Sequence, residues 1–79
     1  MKLEVCLYAS LASRLPRHSG GNCCTMEVSN GISVREVLEQ LGIGPEETKL
    51  ILVNGIHVKP ESPLKDGDRL AVFPPIAGG

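Results

Sequence analysis

One amphipathic helix, with clear signals at both of its ends, constrains the fold more than any other feature of the sequence. Ser33 stands three residues before Glu36, which is the spacing of a capping box. The apolar residues that follow have the i, i+3, i+4, i+7 spacing of a helix with one buried face, namely Val34, Val37, Leu38 and Leu41. Gly42 can end this helix in the left-handed conformation, and Pro45 disfavours its resumption. The sequence predicts a short, capped helix that packs through one face.

Short strands are predicted on both sides of this helix. Their segments are 2–8 and 23–29, which alternate in polarity, the apolar run 50–53, residues 56–58 after the Asn54-Gly55 turn pair, and 69–73 after Asp66-Gly67-Asp68. Residues 10–15 predict a helical turn, and residues 16–22 predict an exposed loop. The order of elements predicts an α+β domain, a β-grasp with a mixed sheet of about five strands and one main helix packed across it.

Length and charge limit the number of domains and the kinds of partner. A chain of 79 residues predicts one domain, over 1–73, followed by a flexible tail over 74–79. A formal net charge of −1 with scattered signs argues against nucleic acid as a partner. No apolar run is long enough to cross a bilayer, and the first residues alternate in polarity. We therefore expect a soluble, cytoplasmic protein that does not bind membranes.

The usual catalytic and metal-binding patterns are missing from the sequence. His18 and His57 have no histidine at i+4 and no cysteine or carboxylate at metal-ligand spacing. Asp66 and Asp68 fit a turn better than a pair of acid/base groups. We predict that the chain holds no metal and no cofactor, and that it is not an enzyme on its own.

The last seven residues, Phe73-Pro74-Pro75-Ile76-Ala77-Gly78-Gly79, offer a different kind of chemistry. The two prolines favour an extended exit from the sheet, and the six residues after Phe73 reach at most about 20 Å. Gly78 and Gly79 have no side chains that would obstruct a narrow channel. A terminal carboxylate is a poor electrophile, so it needs activation, for example as an acyl adenylate formed from ATP at a partner's site. The alternative is a floppy terminus without a role.

The tail, together with Leu64-Lys65-Asp66-Gly67-Asp68 and Val53-Asn54-Gly55, resembles the MoaD/ThiS family of ubiquitin-like sulfur carriers. The resemblance covers the whole chain. The ending is more similar to the MoaD branch, the small subunit of molybdopterin synthase, because ThiS tails usually lack the paired prolines.

That resemblance implies a cycle of reactions at the terminal carboxylate of Gly79, with Gly78 giving clearance. A MoeB-like or ThiF-like enzyme uses ATP to adenylate Gly79, and sulfur then arrives from a persulfide donor. The resulting thiocarboxylate enters a MoaE-like subunit and donates its sulfur for molybdopterin, the organic part of the molybdenum cofactor. The chain thus acts as a carrier and as the small subunit of a sulfurtransferase complex.

The resemblance also implies a partner-facing surface beside the tail. Its members are Tyr8, His57, Phe73, Pro74, Pro75, Ile76 and Ala77. Tyr8 and Phe73 match aromatic positions of the family, whereas His57 stands where an apolar residue is usual. For Phe73 the alternative is a core residue at a strand end.

Other functions share this tail. Within the carrier class, the sulfur could go to thiamine, cysteine, tRNA or a tungsten cofactor. A protein modifier would join Gly79 to a lysine of its target, and a β-grasp interaction module would have no chemistry at all.

The three cysteines are Cys6, Cys23 and Cys24. Their number is odd, and the adjacent pair lacks the C-x-x-C spacing of redox and zinc motifs. We therefore predict reduced thiols with structural roles in a reducing compartment. The alternative is a thiol that takes part in sulfur handling.

Overall fold

The computed structural model describes residues 1–15 and 21–75. Its strands are β1 (Lys2–Leu7), β2 (Cys23–Glu27), β3 (Leu50–Val53), β4 (Ile56–His57) and β5 (Arg69–Phe73), and its α-helix is α1 (Val34–Gln40). Two 3₁₀ helices, Ala9–Arg14 and Pro45–Glu47, lie after β1 and after α1. The predicted loop residues 16–20 and the tail residues Ile76, Ala77, Gly78 and Gly79 lie outside the described residues. No helix of the described part is long and apolar enough to span a membrane.

The strands form one mixed sheet in the order β2-β1-β5-β3-β4. Strands β1 and β5 run parallel at its centre, and the other neighbours are antiparallel. The Asn54-Gly55 pair joins β3 to β4 with positive φ angles of 53° and 82°, as a type I′ hairpin turn requires. The sheet and its one main helix confirm the predicted β-grasp architecture.

The core lies between α1 and one face of the sheet. The helix buries Val34, Val37 and Leu38, which are three of the four residues predicted for its apolar face. The sheet contributes buried residues from alternate positions of its central strands, namely Leu3, Val5, Leu7, Ile51, Leu70 and Val72. Ser33 and Glu36 form the predicted capping box, and Gly42 has a φ of +74° after the helix. The predicted signals at the start and at the end of the helix are therefore both confirmed.

The two turns at one end of the sheet are hydrogen-bonded to each other. One carboxylate oxygen of Asp68 accepts the side-chain N–H of Asn54 at 2.9 Å, and the other accepts the backbone N–H of Lys65 at 2.8 Å. Asp66 accepts the backbone N–H of Lys2 at 2.7 Å, which ties the same turn to the start of β1. These carboxylates are thus committed to turn structure, as predicted.

The prediction of three free thiols is wrong, because Cys6 and Cys23 form a disulfide. The two residues lie opposite each other in β1 and β2, which places their sulfurs on the same face of the sheet. Cys24 is free and half-buried. Spacing along the chain could not reveal this pair, because only the register of the two strands brings residues 17 positions apart into contact.

An ion pair joins the two 3₁₀ helices. Arg14 donates through Nη2 to Glu47 Oε1 at 2.7 Å, and through Nη1 to the carbonyl of Gly42. The other oxygen of Glu47 accepts the backbone N–H of Gly44 at 2.9 Å. The Gly44 hydrogen bond is the largest cause that lowers the pKa of Glu47 below its ordinary value of 4.5, and Arg14 lowers it further.

We expect Glu47→Gln to reduce the loss of stability in acid. Because the folded pKa of Glu47 is lowered, its stabilising contribution is present above pH 4.5 and is lost as pH falls through the folded pKa. Urea unfolding midpoints from neutral pH to about pH 3 should therefore fall less steeply in Glu47→Gln than in the wild type. Glu46→Gln, a substitution at the exposed neighbouring position, is the control. Identical pH profiles for Glu47→Gln and the wild type would contradict the assignment.

Candidate apolar docking groove

The face of the sheet opposite α1 carries side chains in rows that differ in character. Nearest the tail, the row consists of Tyr8, Phe73 and Leu50, because Phe73 pairs with Leu50 and Tyr8 follows β1 beside it. The next row consists of Cys23, Cys6, Ala71, Leu52 and His57. The row beyond it contains Thr25, Glu4 and Arg69. This open face is therefore apolar beside the tail and charged at its far end.

Two aromatic rings form the centre of the apolar end. The rings of Tyr8 and Phe73 stack in parallel, with centroids 4.5 Å apart and an angle of 4° between their planes. Backbone hydrogen bonds fix both residues, because the Tyr8 N–H donates to Val72 and the Phe73 carbonyl accepts from Lys49. Both residues are half-buried, whereas Val72, the residue before Phe73 on β5, points into the core. Phe73 thus belongs to the open face, and the alternative of a core residue is wrong.

A groove of about 590 Å³ lies beside these rings and is lined almost wholly by apolar atoms. One wall is formed by Tyr8, Ala9 and Ser10, and the other by Lys49 and Leu50. Phe73 and the two prolines that follow it, Pro74 and Pro75, complete the lining. The described part of the tail therefore leaves the sheet along the groove. An exposed apolar surface of this kind is typical of a protein interaction site.

The structure brings four of the predicted partner-facing residues together, namely Tyr8, Phe73, Pro74 and Pro75. It places His57 elsewhere: the residue is exposed on β4, opposite Leu52, and does not line the groove. The remaining predicted members, Ile76 and Ala77, and the reactive residues Gly78 and Gly79 lie outside the described residues.

The second wall of the groove was not among the residues predicted from the sequence. Leu50 is 36% exposed although it belongs to the apolar run 50–53, whose Ile51 is buried in the core. In a strand with one solvated face, side chains alternate between core and solvent. An unbroken apolar run in such a strand therefore indicates that the face turned away from the core is apolar as well.

The far end of the open face contains charged groups and sulfur atoms. Arg69 Nε lies 3.4 Å from Glu4 Oε1, and both side chains are about half exposed. Among the described residues, Glu4, Cys6 and Cys23 form a group whose potential metal-ligating atoms lie within 4.8 Å of one another. Metals bind cysteine as the thiolate, so the two sulfurs are not ligands while they are joined in the disulfide.

Comparison with known proteins places the chain in a family. The model of the family described as ThiS matches residues 22–79, a segment that includes β2 to β5 and extends through Gly79. The chain belongs to the ThiS family. No curated protein matches the chain in sequence. The match includes one wall of the groove and the prolines of the tail, whereas Tyr8, Ala9 and Ser10 precede it.

Solved structures with the same fold include a modifier protein and molybdopterin-related proteins. The small archaeal modifier protein SAMP1 from Haloferax volcanii is 25% identical, with a TM-score of 0.72 and full coverage of both chains. A putative molybdopterin converting factor, subunit 1, from Pyrococcus furiosus is 28% identical over 95% of this chain and 98% of that one, with a TM-score of 0.70. Subunit 1 of the molybdopterin-converting factor from Helicobacter pylori, solved with subunit 2, is 20% identical over both full chains, with a TM-score of 0.63.

These likenesses agree with the family assignment. The ThiS family chain described here has the β-grasp fold of ubiquitin-like sulfur carriers. Its groove lies where the tail leaves that fold.

Proposed function

We propose that this protein is a sulfur carrier whose reacting group is the carboxylate of Gly79. The observation that carries the proposal is the family match, which extends through Gly79 and includes Phe73, Pro74 and Pro75 at the groove. Sulfur carriage needs a reactive end that can enter another protein's site while the domain stays folded. The two prolines favour an extended exit from β5 because each has a restricted φ and no N–H to join the sheet.

The chemistry begins with activation of the carboxylate. An oxygen of Gly79 attacks the α-phosphate of ATP at an adenylating partner, pyrophosphate leaves, and an acyl adenylate forms. The terminal sulfur of a persulfide then attacks the acyl carbon and displaces AMP. A thiol that cleaves the resulting sulfur–sulfur bond leaves the thiocarboxylate on Gly79. The partner supplies the ATP site and the groups that stabilise the charge developing in these steps.

The groove is the surface through which we expect partners to hold the domain. Tyr8 and Phe73 present a rigid aromatic surface, and Leu50 adds an exposed aliphatic side chain beside them. Aromatic anchors of this kind contribute a large share of the binding energy at protein interfaces. Docking there would direct residues 76–79 toward the active site of a MoeB-like or ThiF-like enzyme.

We favour the molybdopterin pathway, with the chain as the small subunit of molybdopterin synthase beside a MoaE-like subunit. The paired prolines before the Gly-Gly end support this branch, and so does the 28% identity to the Pyrococcus furiosus protein named as a molybdopterin converting factor subunit. In this pathway the thiocarboxylate gives up its sulfur to the cofactor precursor. We place the protein in the cytoplasm, where ATP is available for its activation.

A second candidate function is protein modification. SAMP1, at 25% identity over the full chain, is named as a modifier. A modifier would share the acyl adenylate, but a lysine amine of the target protein would accept the acyl group of Gly79 in an isopeptide bond. Delivery of sulfur to thiamine, cysteine, tRNA or a tungsten cofactor would also share the activation step.

ATP-dependent activation tests the proposal. With a MoeB-like or ThiF-like enzyme encoded beside this protein's gene, we expect the purified chain to stimulate exchange of labelled pyrophosphate into ATP. The variant lacking Gly79 should not stimulate it. Failure of the wild-type chain to stimulate exchange with every such enzyme from the same genome would refute the proposed function. Lysine conjugates of the chain in cells, without a thiocarboxylate form, would instead support the modifier.

A further inference from the structure

The disulfide between Cys6 and Cys23 lies on the open face, directly beside the docking groove. Cys6 stands two residues before Tyr8 on the same face of the sheet, and its neighbour across the sheet is Ala71, two residues before Phe73. The Cys6 side chain is fully buried, whereas Cys23 is half-buried at the start of the edge strand β2. The cross-link therefore joins the edge of the sheet to its centre.

The backbone selects this pair of cysteines. The N–H of Leu7 donates to the carbonyl of Asn22 at 2.8 Å, so the adjacent pair, Cys6 and Cys23, is a non-hydrogen-bonded pair. Side chains approach each other most closely in such pairs, and here the two Cα atoms are 4.0 Å apart. Cys24 points to the other face, opposite Val5, and cannot compete for Cys6. The register of the sheet thus brings two of the three cysteines close enough to form a disulfide.

The surroundings of the two sulfurs allow thiol–disulfide exchange with a molecule from solution at only one of them. Cys6 is enclosed, so a thiol or disulfide from solution meets Cys23 first. The Arg69 guanidinium lies 4.0 Å from Cys23 Sγ, and the Glu4 carboxylate lies beside both groups. Cys23 is therefore the sulfur through which the bond can be opened and closed, and Cys6 is the internal partner.

The disulfide also closes a loop that contains one wall of the groove. The loop runs from Cys6 to Cys23, a separation of 17 positions, and includes Tyr8, Ala9 and Ser10. A cross-link removes conformations mainly from the unfolded and locally opened states of the segment that it closes, so it makes opening of that segment less favourable. Whether the disulfide is closed or open therefore changes how ordered the Tyr8–Ser10 wall is.

We propose that Cys6 and Cys23 form a redox-reversible disulfide that orders the Tyr8–Ser10 wall of the groove. In the oxidising direction, the Cys23 thiolate attacks a small-molecule disulfide such as oxidised glutathione and releases one thiol. The Cys6 thiolate then attacks Cys23 Sγ and releases the second thiol, so that two protein thiols are oxidised and one disulfide is reduced to two thiols. Excess reduced glutathione reverses both steps. In a reducing compartment such disulfides are usually transient and redox-sensing.

The consequence for docking rests on the proposed function. A wall that is already ordered loses less conformational entropy when a partner binds. The oxidised protein should then bind its adenylating partner more tightly than the reduced protein. The redox property itself involves neither a partner nor Gly79, so it can be tested alone.

The test uses the full chain with Cys24→Ser, which leaves only the proposed pair. After equilibration with mixtures of reduced and oxidised glutathione, free thiols are alkylated and counted by intact mass. We expect both thiols to disappear together as the mixture becomes more oxidising, and both to return in excess reduced glutathione. The oxidised form should melt roughly 10 to 20 °C above the reduced form. Its amides in residues 8–10 should also exchange more slowly with deuterium.

Cys23→Ser in the same Cys24→Ser background is the control, because it removes the more exposed sulfur and spares the enclosed one. Its melting temperature should not respond to the glutathione ratio. The proposal is overturned if both thiols of the Cys24→Ser protein stay free at every ratio, or if they form only mixed or intermolecular disulfides. Equal melting temperatures, or equal exchange in residues 8–10, for the oxidised and reduced forms would also overturn it. These outcomes do not depend on the proposed sulfur carriage.

Discussion

Protein extended by one alanine after Gly79 is expected to lose sulfur loading, by roughly a hundredfold or more in rate, while its fold is unchanged. The added residue moves the terminal carboxylate by up to about 3.6 Å and places a side chain next to it. A displacement of even about 1 Å at a reacting group can reduce a rate about a hundredfold. Strand β5 ends at Phe73, six positions before Gly79, so the addition does not touch the sheet.

Thiocarboxylate formation with the adenylating enzyme, ATP and a persulfide donor measures this effect, and thermal unfolding measures the fold. Lys65→Ala is the control, because Lys65 is an exposed residue at the turn end of the sheet. It should load at the wild-type rate. An extended protein that loads as fast as the wild type would show that the reacting group is elsewhere.

Leu50→Asp is expected to weaken docking to the adenylating partner by roughly thirtyfold or more. Hot-spot residues near the centre of an interface cost about 2 kcal/mol or more when they are replaced, which corresponds to about that change in affinity. Leu50 is 36% exposed and lines the groove, so an aspartate there can be solvated in the free protein. In a complex, its charge would be transferred into an apolar interface without a partner.

Ile56→Asp is the matched control for this substitution. Ile56 is also an aliphatic residue of the sheet and is 67% exposed, but it lies on β4 outside the groove. We expect Leu50→Asp to raise the KM for the carrier in the adenylation reaction with little change in kcat, and Ile56→Asp to change neither. Equal effects of the two substitutions would mean that the groove is not the docking surface.

The helix and the turns could be predicted because their signals are local. Ser33 and Glu36 mark the start of α1, Gly42 follows its end, and Asn54-Gly55 specifies the β3–β4 hairpin. Each of these residues acts on backbone atoms within a few positions of itself. The order of the elements then restricted the fold to the β-grasp, which the sheet order confirms.

The groove and the disulfide depend on contacts between distant parts of the chain. Leu50 and Tyr8 lie in the same row only because β3 and β1 both pair with β5. Cys6 and Cys23 meet only in the register of β1 with β2. Tyr8 and Phe73 could be identified only through a family resemblance, because no local pattern indicates which strands become neighbours.

The mass of the protein isolated with its native end tests the central claim most directly. Cells that make the molybdenum cofactor should contain a fraction of this chain that is heavier by the difference between one sulfur and one oxygen atom. Fragmentation should place that difference on Gly79, and deletion of the adenylating enzyme's gene should remove it. A thiocarboxylate on Gly79 that depends on this enzyme is the result that the proposed function predicts. Native protein that carries only an ordinary carboxylate there, whether or not the enzyme is present, would contradict it.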